Sequence, residues 1–356
     1  MTFQELGLRQ EILDAVAELG FVNPMPVQEQ VIPYMLTHEN DLVALAQTGT
    51  GKTAAFGLPI LNMVNVEQRK IQSLVLAPTR ELCIQIANDI KNFASKMRGV
   101  KVVPVYGGES IVVQYKQLDV QPQVLVATPG RLIDLINRGK VDLSEVRFLV
   151  LDEADEMLNM GFREDIETIL KDIPEQHQTV LFSATMPEKI RQLAKSLLHD
   201  PVEIRLAVSR PADKIHQMAY ICYEAQKIGI IKELFKARKP ERVIIFTGSK
   251  VKAKDLAISL TRAKFNCRAM HSDLSQQERD EVMYLFRSAQ TDILVATDIV
   301  ARGIDIDDIT LVINFDVPHD AEDYVHRIGR TARAGAGGSA ITLVSEKDQP
   351  EFKKIE

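Results

Sequence analysis

Glycine, lysine and threonine recur between residues 46 and 53 with the spacing of a phosphate-binding loop. Gly49 and Gly51 can adopt backbone angles that are closed to residues with a Cβ, so successive N–H groups can turn toward phosphate oxygens. Lys52 supplies a positive charge to the β and γ phosphates, and the Thr53 hydroxyl can hold Mg²⁺. We therefore expect a nucleoside triphosphate site built from Thr48, Gly49, Thr50, Gly51, Lys52 and Thr53.

Two acidic residues follow an apolar run further along the chain. The run, residues 148–151, is typical of a buried parallel strand, which places Asp152 and Glu153 at a strand end. Asp152 can hold Mg²⁺, and Glu153 can orient or deprotonate the attacking water. The tetrapeptide 152–155 alone is equally typical of an acidic surface turn. Its position after a phosphate-binding loop favours catalysis, and the two motifs together predict a nucleoside triphosphatase.

Apolar runs alternate with helical patterns along the chain, and polar motifs follow the runs. A strand-like run at 41–46 precedes the phosphate loop, and runs at 74–77, 124–127 and 179–182 precede further polar motifs. Ligands bind at the carboxyl ends of the strands in open α/β sheets, so these motifs should share one edge. The pattern predicts an α/β protein with parallel sheets.

Length and composition predict two globular domains. The chain has 356 residues, of which 46% are hydrophobic and 26% charged, so each domain can bury a core. The periodicity breaks into a polar stretch with proline and then restarts with strand-like runs. We expect an N-terminal ATP-binding domain over residues 1–205, a linker over 206–215 and a C-terminal domain over 216–356.

Charge, cysteine content and hydropathy argue against several classes of protein. The net charge of -6 disfavours a protein that coats nucleic acid through bulk positive charge. Cys83, Cys222 and Cys267 are odd in number and widely spaced, which favours reduced thiols over a disulfide framework or a zinc site. No run has the length of a signal-peptide core or a membrane span, so we expect a soluble, cytoplasmic protein.

The second half has no second phosphate loop, but it carries a basic cluster near its end. Arg327, Arg330 and Arg333 recur at spacings of three, which places them on neighbouring positions of a helix. An arginine presented from a second domain can neutralise charge that develops on the γ-phosphate. A solvated basic helix face is the alternative for such a run. Residues 301–305 upstream, in a half without another phosphate loop, favour arginine fingers.

These motifs, in this order along essentially the whole chain, resemble the DEAD-box ATP-dependent RNA helicases of helicase superfamily 2. The resemblance implies two tandem RecA-like parallel-sheet domains, with the ATP and RNA sites at and across the interdomain cleft. It implies ATP and Mg²⁺ as cofactors. It also implies that the catalytic residues are Lys52, Glu153, Arg330 and Arg333.

Residues 20–28 resemble the Q motif of this family. The resemblance implies that Gln28 reads the adenine edge and that Phe3 stacks on the adenine ring. A side-chain amide suits this reading because it can satisfy adjacent donors and acceptors together. Packing of the first helix is the alternative role for Phe3. Asp305 matches the residue expected near the nucleotide ribose.

Short motifs in both halves resemble the contacts of the family with the RNA backbone. Their hydroxyls, main-chain groups and single arginines suit sugar and phosphate rather than base edges, so binding should be independent of RNA sequence. In the first domain these residues are Pro78, Thr79, Arg80, Gly108, Thr128 and Arg131. In the second domain they are Gly248, Gln276, Arg279 and Thr297.

Further matches concern the coupling of hydrolysis to RNA binding. Ser183 and Thr185 lie in a motif that resembles the one contacting the acidic motif, in which Asp155 is the final residue. His326 matches a residue that contacts the acidic motif, and Arg327 is expected to pair with an acid.

The resemblance implies an RNA-dependent ATPase that couples hydrolysis to local separation of RNA strands or to ribonucleoprotein remodelling. RNA is the expected partner, ribonucleoprotein or RNA-decay proteins are candidates beside it, no membrane is involved, and a monomer is the default. Two alternatives stay open. One is an ATP-gated RNA clamp with little unwinding, and the other is a superfamily 2 DNA helicase.

Overall fold

The computed structural model describes residues 1–46, 50–184, 186, 188–205, 215–297, 309–318, 321–331 and 338–355. The chain divides into two compact units, Met1–Val208 and Ser209–Glu356, called unit 1 and unit 2 below. Most of the expected linker, residues 206–214, lies outside the described residues, and residue 215 begins a strand. The boundaries expected from the sequence therefore stay a prediction.

Unit 1 is built on a sheet of seven strands in which every described pair is parallel. The strands are β1 Leu42–Leu45, β2 Ser73–Leu76, β3 Val102–Val105, β4 Val124–Ala127, β5 Phe148–Leu151, β6 Gln178–Ser183 and β7 Val202–Arg205. Their order across the sheet is β3-β4-β2-β5-β6-β1-β7. The apolar runs in the sequence therefore form the expected parallel sheet.

Helices cover both faces of this sheet, which is why inner strands such as β4 and β5 are continuous apolar runs rather than alternating patterns. In β2, Val75 packs into one core and Leu74 and Leu76 pack into the other, on the opposite face. The helices of unit 1 are α1 Gln10–Glu18, α2 Pro26–Thr37, α3 Lys52–Met63, α4 Arg80–Phe93, α5 Ile111–Leu118, α6 Pro129–Asn137, α7 Ala154–Asn159, α8 Arg163–Leu170 and α9 Glu188–Leu197.

Unit 2 repeats the architecture with a parallel sheet of six strands. The strands are β8 Ile215–Ile221, β9 Val243–Thr247, β10 Cys267–Met270, β11 Ile293–Thr297, β12 Leu311–Asn314 and β13 Gly338–Val344, in the order β10-β11-β9-β12-β13-β8. The described helices are α10 Lys227–Ala237, α11 Lys250–Arg262, α12 Gln276–Arg287, α13 Ala321–Ile328 and α14 Gln349–Ile355.

The parallel topology gathers the polar motifs at one edge of each sheet. In unit 1, β6 lies between β5 and β1, so the residues after these three strands are neighbours. In unit 2, β9 pairs with β12, so the residues after these two strands also lie side by side. This edge is where open α/β sheets bind ligands. None of the described helices is long and apolar enough to span a bilayer.

Because the two units have separate hydrophobic cores, a cavity made in one unit should lower the stability of that unit alone. Phe182→Ala should lower the stability of unit 1 by about 3–5 kcal/mol, because a fully buried ring is lost from beside Phe56, 5.5 Å away. Phe286→Ala, also fully buried, should act on unit 2. Hydrogen exchange measured by mass spectrometry along a denaturant series reports the two units separately. Equal loss of protection in both units for either variant would contradict separate cores.

Candidate active site and nucleic-acid interface

A buried ion pair joins the phosphate loop to the acidic motif. Lys52 begins α3, Asp152 follows β5, and the Lys52 Nζ lies 3.4 Å from the Asp152 Oδ1. The two side chains are only 7% and 3% exposed. The sheet order explains the contact, because only β6 separates the strands that carry the two motifs. The two motifs that the sequence singles out therefore meet at one site.

Carboxylates around Lys52 keep its ammonium charged. Burial alone would lower the pKa of this side chain, but Asp152, Glu153 and Asp155 outweigh burial and raise the pKa above its ordinary value. A cation is thus held where little water reaches it. Phosphate oxygens entering this site would meet that charge at low local dielectric, where attraction is strong.

Gly51 occupies a position that only glycine fills without strain. Its φ is 81°, in the left-handed region, and it is the residue before α3. A Cβ there would collide with the side-chain amide of Gln28 and lie 3.0 Å from the Met25 Sδ. The bare backbone forms a cradle at a helix N-terminus, where N–H groups suit phosphate.

Gln28 ties the Q-motif segment to this cradle. Its Nε2 donates to the main-chain carbonyl of Gly51 at 3.1 Å, and its Oε1 accepts from the N–H of Met25 at 2.9 Å. The residue is 3% exposed. Gln28 therefore fixes the loop in this structure. That it also reads adenine stays a prediction.

The structure places Phe3 inward, with Phe21 beside it. Phe3 is 3% exposed, and its ring lies against that of Phe21 with centroids 6.4 Å apart and planes at 27°. Phe21 is 40% exposed and also contacts Phe93 edge-on. The surroundings of Phe3 fit the packing role that the sequence left open, while stacking on adenine stays untested. Sequence reasoning gave no role to Phe21, the accessible ring of the pair.

Glu153 is held in an unusual backbone conformation directly after Asp152. Its φ and ψ are 52° and 52°, a left-handed conformation that is rare for a residue with a side chain. Its N–H donates to the Asp152 Oδ1 at 3.0 Å, and the residue is 8% exposed. Such strain persists only where the surroundings fix it, and it concentrates at functional sites.

The acidic motif also contacts the segment after β6. The Asp155 Oδ2 accepts from the N–H of Ala184 at 3.1 Å, and Ser183, the last residue of β6, is fully buried. The structure thus brings two of the expected coupling residues, Asp155 and Ser183, to one place.

Thr50 and Thr53 are half-buried at the start of α3.

Several expected site residues lie outside the described part of the chain. They are Thr48, Gly49, Thr185, Asp305 and Arg333. His326 lies within α13, but its side chain is not among those described. Their roles stay predictions from the family motifs.

The expected RNA contacts of unit 1 follow β2, β3 and β4. Thr79 caps α4 by accepting from the N–H of Leu82 at 3.2 Å, and the Arg80 guanidinium lies 4.9 Å from the centre of the Tyr106 ring. Gly108 is exposed with a φ of 80°. Pro78 is buried before the cap, and Thr128 precedes α6 with 9% exposure.

Arg131 is engaged with the protein itself. Its guanidinium donates twice to the carbonyl of Glu109, at 3.1 Å each, and once to the Gln114 Oε1 at 2.9 Å. Gln114 is fully buried and donates to the carbonyl of Tyr106 at 2.9 Å. The described contacts of Arg131 therefore hold the glycine turn in place. Direct RNA contact by Arg131 stays a prediction.

Gln114 and Tyr106 are functional candidates that sequence reasoning missed. A signal was present, because Ile111, Tyr115 and Leu118 mark the apolar stripe of α5 and Gln114 falls on that stripe. A glutamine buried on an apolar stripe must find hydrogen-bond partners. Here those partners are the turn and Arg131.

The expected RNA contacts of unit 2 lie at the end of β11 and in the segments that follow β9 and β10. The Gly248 N–H donates to the Asp316 Oδ2 at 2.8 Å. Gln276 donates to Asp280 at 3.0 Å, and Arg279 donates to the carbonyl of Ser272 at 3.1 Å. Thr297, half-buried, ends β11.

Two of the expected arginines are buried. Arg327 is 3% exposed and donates to the carbonyl of Asp316 at 2.8 Å and to the Asn314 Oδ1 at 3.2 Å. Arg330 is 6% exposed, and its N–H donates to the carbonyl of Arg327 at 3.2 Å. Asp316 itself was not singled out, although it closely follows a strand-like run, as Asp152 does.

Two family models match most of the chain. One, described as DEAD/DEAH box helicase, matches residues 25–193. The other, described as helicase conserved C-terminal domain, matches residues 226–335.

Curated proteins match the chain over its whole length. It is 46% identical over 356 residues to a DEAD-box ATP-dependent RNA helicase CshA of Geobacillus kaustophilus, in a match that covers 100% of this chain and 76% of that protein. It is 44% identical over 357 residues to the ATP-dependent RNA helicase DeaD of Haemophilus influenzae, covering 100% of this chain and 58% of that protein. Both relatives are longer than this chain.

Solved structures share the fold. S. cerevisiae Dbp5 bound to RNA and ADP BeF3 aligns with a TM-score of 0.90 and 33% identity, over 99% of this chain and 93% of that one. Mss116p with two terminal segments deleted, bound to ssRNA and AMP-PNP, aligns with a TM-score of 0.89 and 30% identity, over 100% of this chain and 77% of that one.

Gly51→Ala should weaken ATP binding by about tenfold or more, since left-handed backbone costs a residue with a Cβ about 1–2 kcal/mol and the Gln28 amide must move. Titration with a fluorescent ATP analogue measures the change. The matched control is Gly229→Ala in α10, where a Cβ meets nothing within 4 Å and ATP affinity should be retained. Equal affinity of the Gly51→Ala variant and the parent would contradict the cradle.

Gln114→Met should weaken binding of single-stranded RNA by about five- to tenfold, because the glycine turn loses hydrogen bonds worth about 1 kcal/mol or more. ATP affinity without RNA should not change. Fluorescence anisotropy with labelled RNA measures the first effect, and Gln10→Met on exposed α1 is the control. A parallel loss of ATP affinity, or no loss of RNA affinity, would exclude this role for Gln114.

Proposed function

Since the chain belongs to the DEAD-box ATP-dependent RNA helicases, we propose that it couples RNA-stimulated ATP hydrolysis to local separation of RNA strands or to remodelling of ribonucleoproteins. One observation carries the ATPase part of this proposal. The buried Lys52–Asp152 pair places a charged ammonium, a carboxylate and the adjoining Glu153 around the N-terminus of α3. These are three of the groups that phosphoryl transfer uses in P-loop proteins.

The ATP site of the proposal is the cradle at Gly51. Lys52 neutralises the β and γ phosphates, and the N–H groups at the start of α3 donate to their oxygens. Gln28 is hydrogen-bonded to Gly51, so it fixes the position of the adenine side of the site relative to the phosphate side. Titration of Lys52 does not limit binding near neutral pH, because its pKa is raised.

The residues present suit Mg²⁺. Asp152 and Thr53 offer a carboxylate and a hydroxyl, the hard oxygen donors that this ion prefers, and both lie at the start of α3 or beside it. When bound, the ion would neutralise charge on the phosphates. Asp152 would then bind the metal and attract Lys52 less strongly, which leaves the Lys52 ammonium available to phosphate.

Glu153 is the residue that orients or deprotonates the attacking water. Its left-handed backbone is a strained conformation of the kind that concentrates at functional sites, and the proposal gives the two acids different tasks. Arg330 and Arg333 of unit 2 act on the γ-phosphate, so hydrolysis needs both units. RNA stimulates hydrolysis in this proposal because it favours the state in which these arginines reach the nucleotide.

RNA is bound through its backbone. The groups assigned to it are the cap of α4 at Thr79, Arg80, the turn at Gly108 and the N-terminal turn of α11 at Gly248, which offer main-chain and side-chain donors to phosphate and sugar. The structures of Dbp5 and Mss116p with RNA support RNA as the ligand class. Cytoplasmic location, ribonucleoprotein or RNA-decay partners and a monomeric state are further parts of the proposal.

Phosphate release from ATP tests the proposal directly. The parent protein should hydrolyse ATP faster with single-stranded RNA than without nucleic acid, and single-stranded DNA should stimulate much less. Equal stimulation by DNA would favour a DNA helicase of the same superfamily. Absence of stimulation by either polymer would overturn the coupling, and tight ATP-dependent RNA binding without strand separation would indicate a clamp.

Glu153→Gln should lower the RNA-stimulated turnover number by about 10²–10⁴-fold, which is the usual contribution of a general base. Affinity for ATP and for RNA should stay near that of the parent, because the amide retains the size of the carboxylate. Glu164→Gln on α8, an exposed site, is the matched control. Turnover at the parent rate by the Glu153→Gln variant would show that Glu153 is not the base.

A further inference from the structure

Asp316 in unit 2 makes contacts that its position in the sequence does not predict. It lies two residues beyond β12, beside the turn that follows β9, because β12 and β9 are paired with Asn314 opposite Phe246. The Phe315 N–H donates to the carbonyl of Phe246 at 2.9 Å, which extends this pairing by one step. Asp316 is 7% exposed. A carboxylate is thus buried at the sheet edge that carries the expected RNA contacts.

The carboxylate fixes the turn that follows β9. One oxygen accepts the Gly248 N–H at 2.8 Å, and the other pairs with the Lys252 ammonium. The Lys252 N–H in turn donates to the Ser249 hydroxyl at 3.3 Å. A Cβ on Gly248 would lie 3.4 Å from the Asp316 carboxylate, so the turn approaches it closely. The Asp316 side chain therefore contacts both the turn after β9 and the first turn of α11.

The main chain of Asp316 contacts α13, the helix that contains Arg327 and directly precedes Arg330. Its carbonyl accepts from Arg327 at 2.8 Å, and the Arg327 guanidinium also lies 5.2 Å from the centre of the Phe246 ring. The N–H of Arg330 donates to the Arg327 carbonyl at 3.2 Å. Asp316 thus contacts the turn through its side chain and α13 through its backbone.

A buried charge network adjoins Asp316. Lys227 is fully buried, and its Nζ lies 2.7 Å from Asp348, 3.0 Å from Glu224 and 3.9 Å from Asp316. Glu224 also pairs with Lys252 at 3.2 Å. Burial raises the pKa of Glu224, but its bonds with Lys227 and Lys252 outweigh burial and lower the pKa to about 2. Glu224 therefore stays ionised near neutral pH.

We infer that Asp316 is the positioning residue that holds the RNA-contacting turn at Gly248 and helix α13, which directly precedes Arg330, in one geometry. RNA bound at the turn and the arginines needed for hydrolysis are then linked within unit 2 through a single residue. The inference rests on the proposed function, because it concerns how RNA stimulates the ATPase. Asp316 touches neither ATP nor RNA in this account.

Asp316→Ala and Asp316→Asn separate two properties of the side chain, the oxygen that accepts the Gly248 N–H and the negative charge. Alanine removes the acceptor for the Gly248 N–H, so the RNA concentration for half-maximal ATPase stimulation should rise about tenfold, since a lost charged hydrogen bond is worth that much. The turnover number at saturating RNA should also fall. Asparagine keeps an oxygen acceptor and should restore most of the RNA response. The KM for ATP without RNA should stay unchanged in both variants.

Two variants control for charge and stability. Asp273→Ala removes ion pairs with Lys250 and Lys254, each 2.7 Å long, from the same helix α11 without touching the turn. Its RNA response should equal that of the parent. Lys227→Met removes the buried ammonium and should lower the thermal stability of unit 2, yet it should retain RNA stimulation, because the contacts of Asp316 with Gly248 and Arg327 remain.

The outcomes distinguish this inference from the proposed function. A parent protein that RNA does not stimulate would refute the proposed function. With a stimulated parent, an unchanged RNA response in folded Asp316→Ala would overturn the role of Asp316 alone. A loss of RNA response in Lys227→Met as large as in Asp316→Ala would also overturn it, since stability and not position would then set the response. If Asp316→Ala fails to fold, Asp316→Glu replaces it, because the longer side chain keeps the charge but moves the acceptor relative to the Gly248 N–H. An RNA response below that of Asp273→Ala then supports the role, and one equal to it refutes the role.

Discussion

The contact between the Lys52 ammonium and the Asp152 carboxylate, 3.4 Å apart and shielded from water, constrains the rest of unit 1. Removing two charges from water costs several kcal/mol for each ion, so such a pair persists only where rigid elements hold both partners. Here the rigid elements are β1 with α3 on one side and β5 on the other, with β6 between the strands. The strained backbone of Glu153 and the bond from Ala184 to Asp155 belong to the same arrangement. A charged site is thus assembled by the fold and placed where phosphate can bind.

Unit 2 also contains a buried acid that pairs with lysine just past a parallel strand, but its role is different. Asp316, like Asp152, lies just past a buried parallel strand and pairs with lysines at a carboxyl edge. Its partners are the Gly248 turn and Arg327 rather than a phosphate loop. The two sheets therefore present complementary halves of the proposed chemistry. In the proposed function, unit 1 supplies the nucleotide cradle and the base, and unit 2 supplies the arginines and the link to RNA.

The strands and the meeting of the phosphate loop with the acidic motif could be predicted from the sequence, because both depend on local patterns and on the topology. Apolar runs identify parallel strands, and the topology then places everything after those runs on one edge. The meeting of Lys52 and Asp152 follows from that rule. The inward packing of Phe3 and the bonds of Arg131 with Glu109 and Gln114 could not be predicted in the same way, since they depend on which neighbours fill the space around each side chain. Asp316 falls between these cases. Its position at a strand end was visible, but its partners come from segments far apart in the chain.

The central claim is that ATP and RNA favour the same state of the protein. By linkage, each ligand must then raise the affinity for the other by the same factor. The most direct test measures the dissociation constant of a nonhydrolysable ATP analogue with and without single-stranded RNA, and that of RNA with and without the analogue, on the parent protein. The account predicts mutual tightening by equal factors of about 5–150, the usual range for coupled sites. Affinities that do not depend on the other ligand would contradict it, even if both ligands bind.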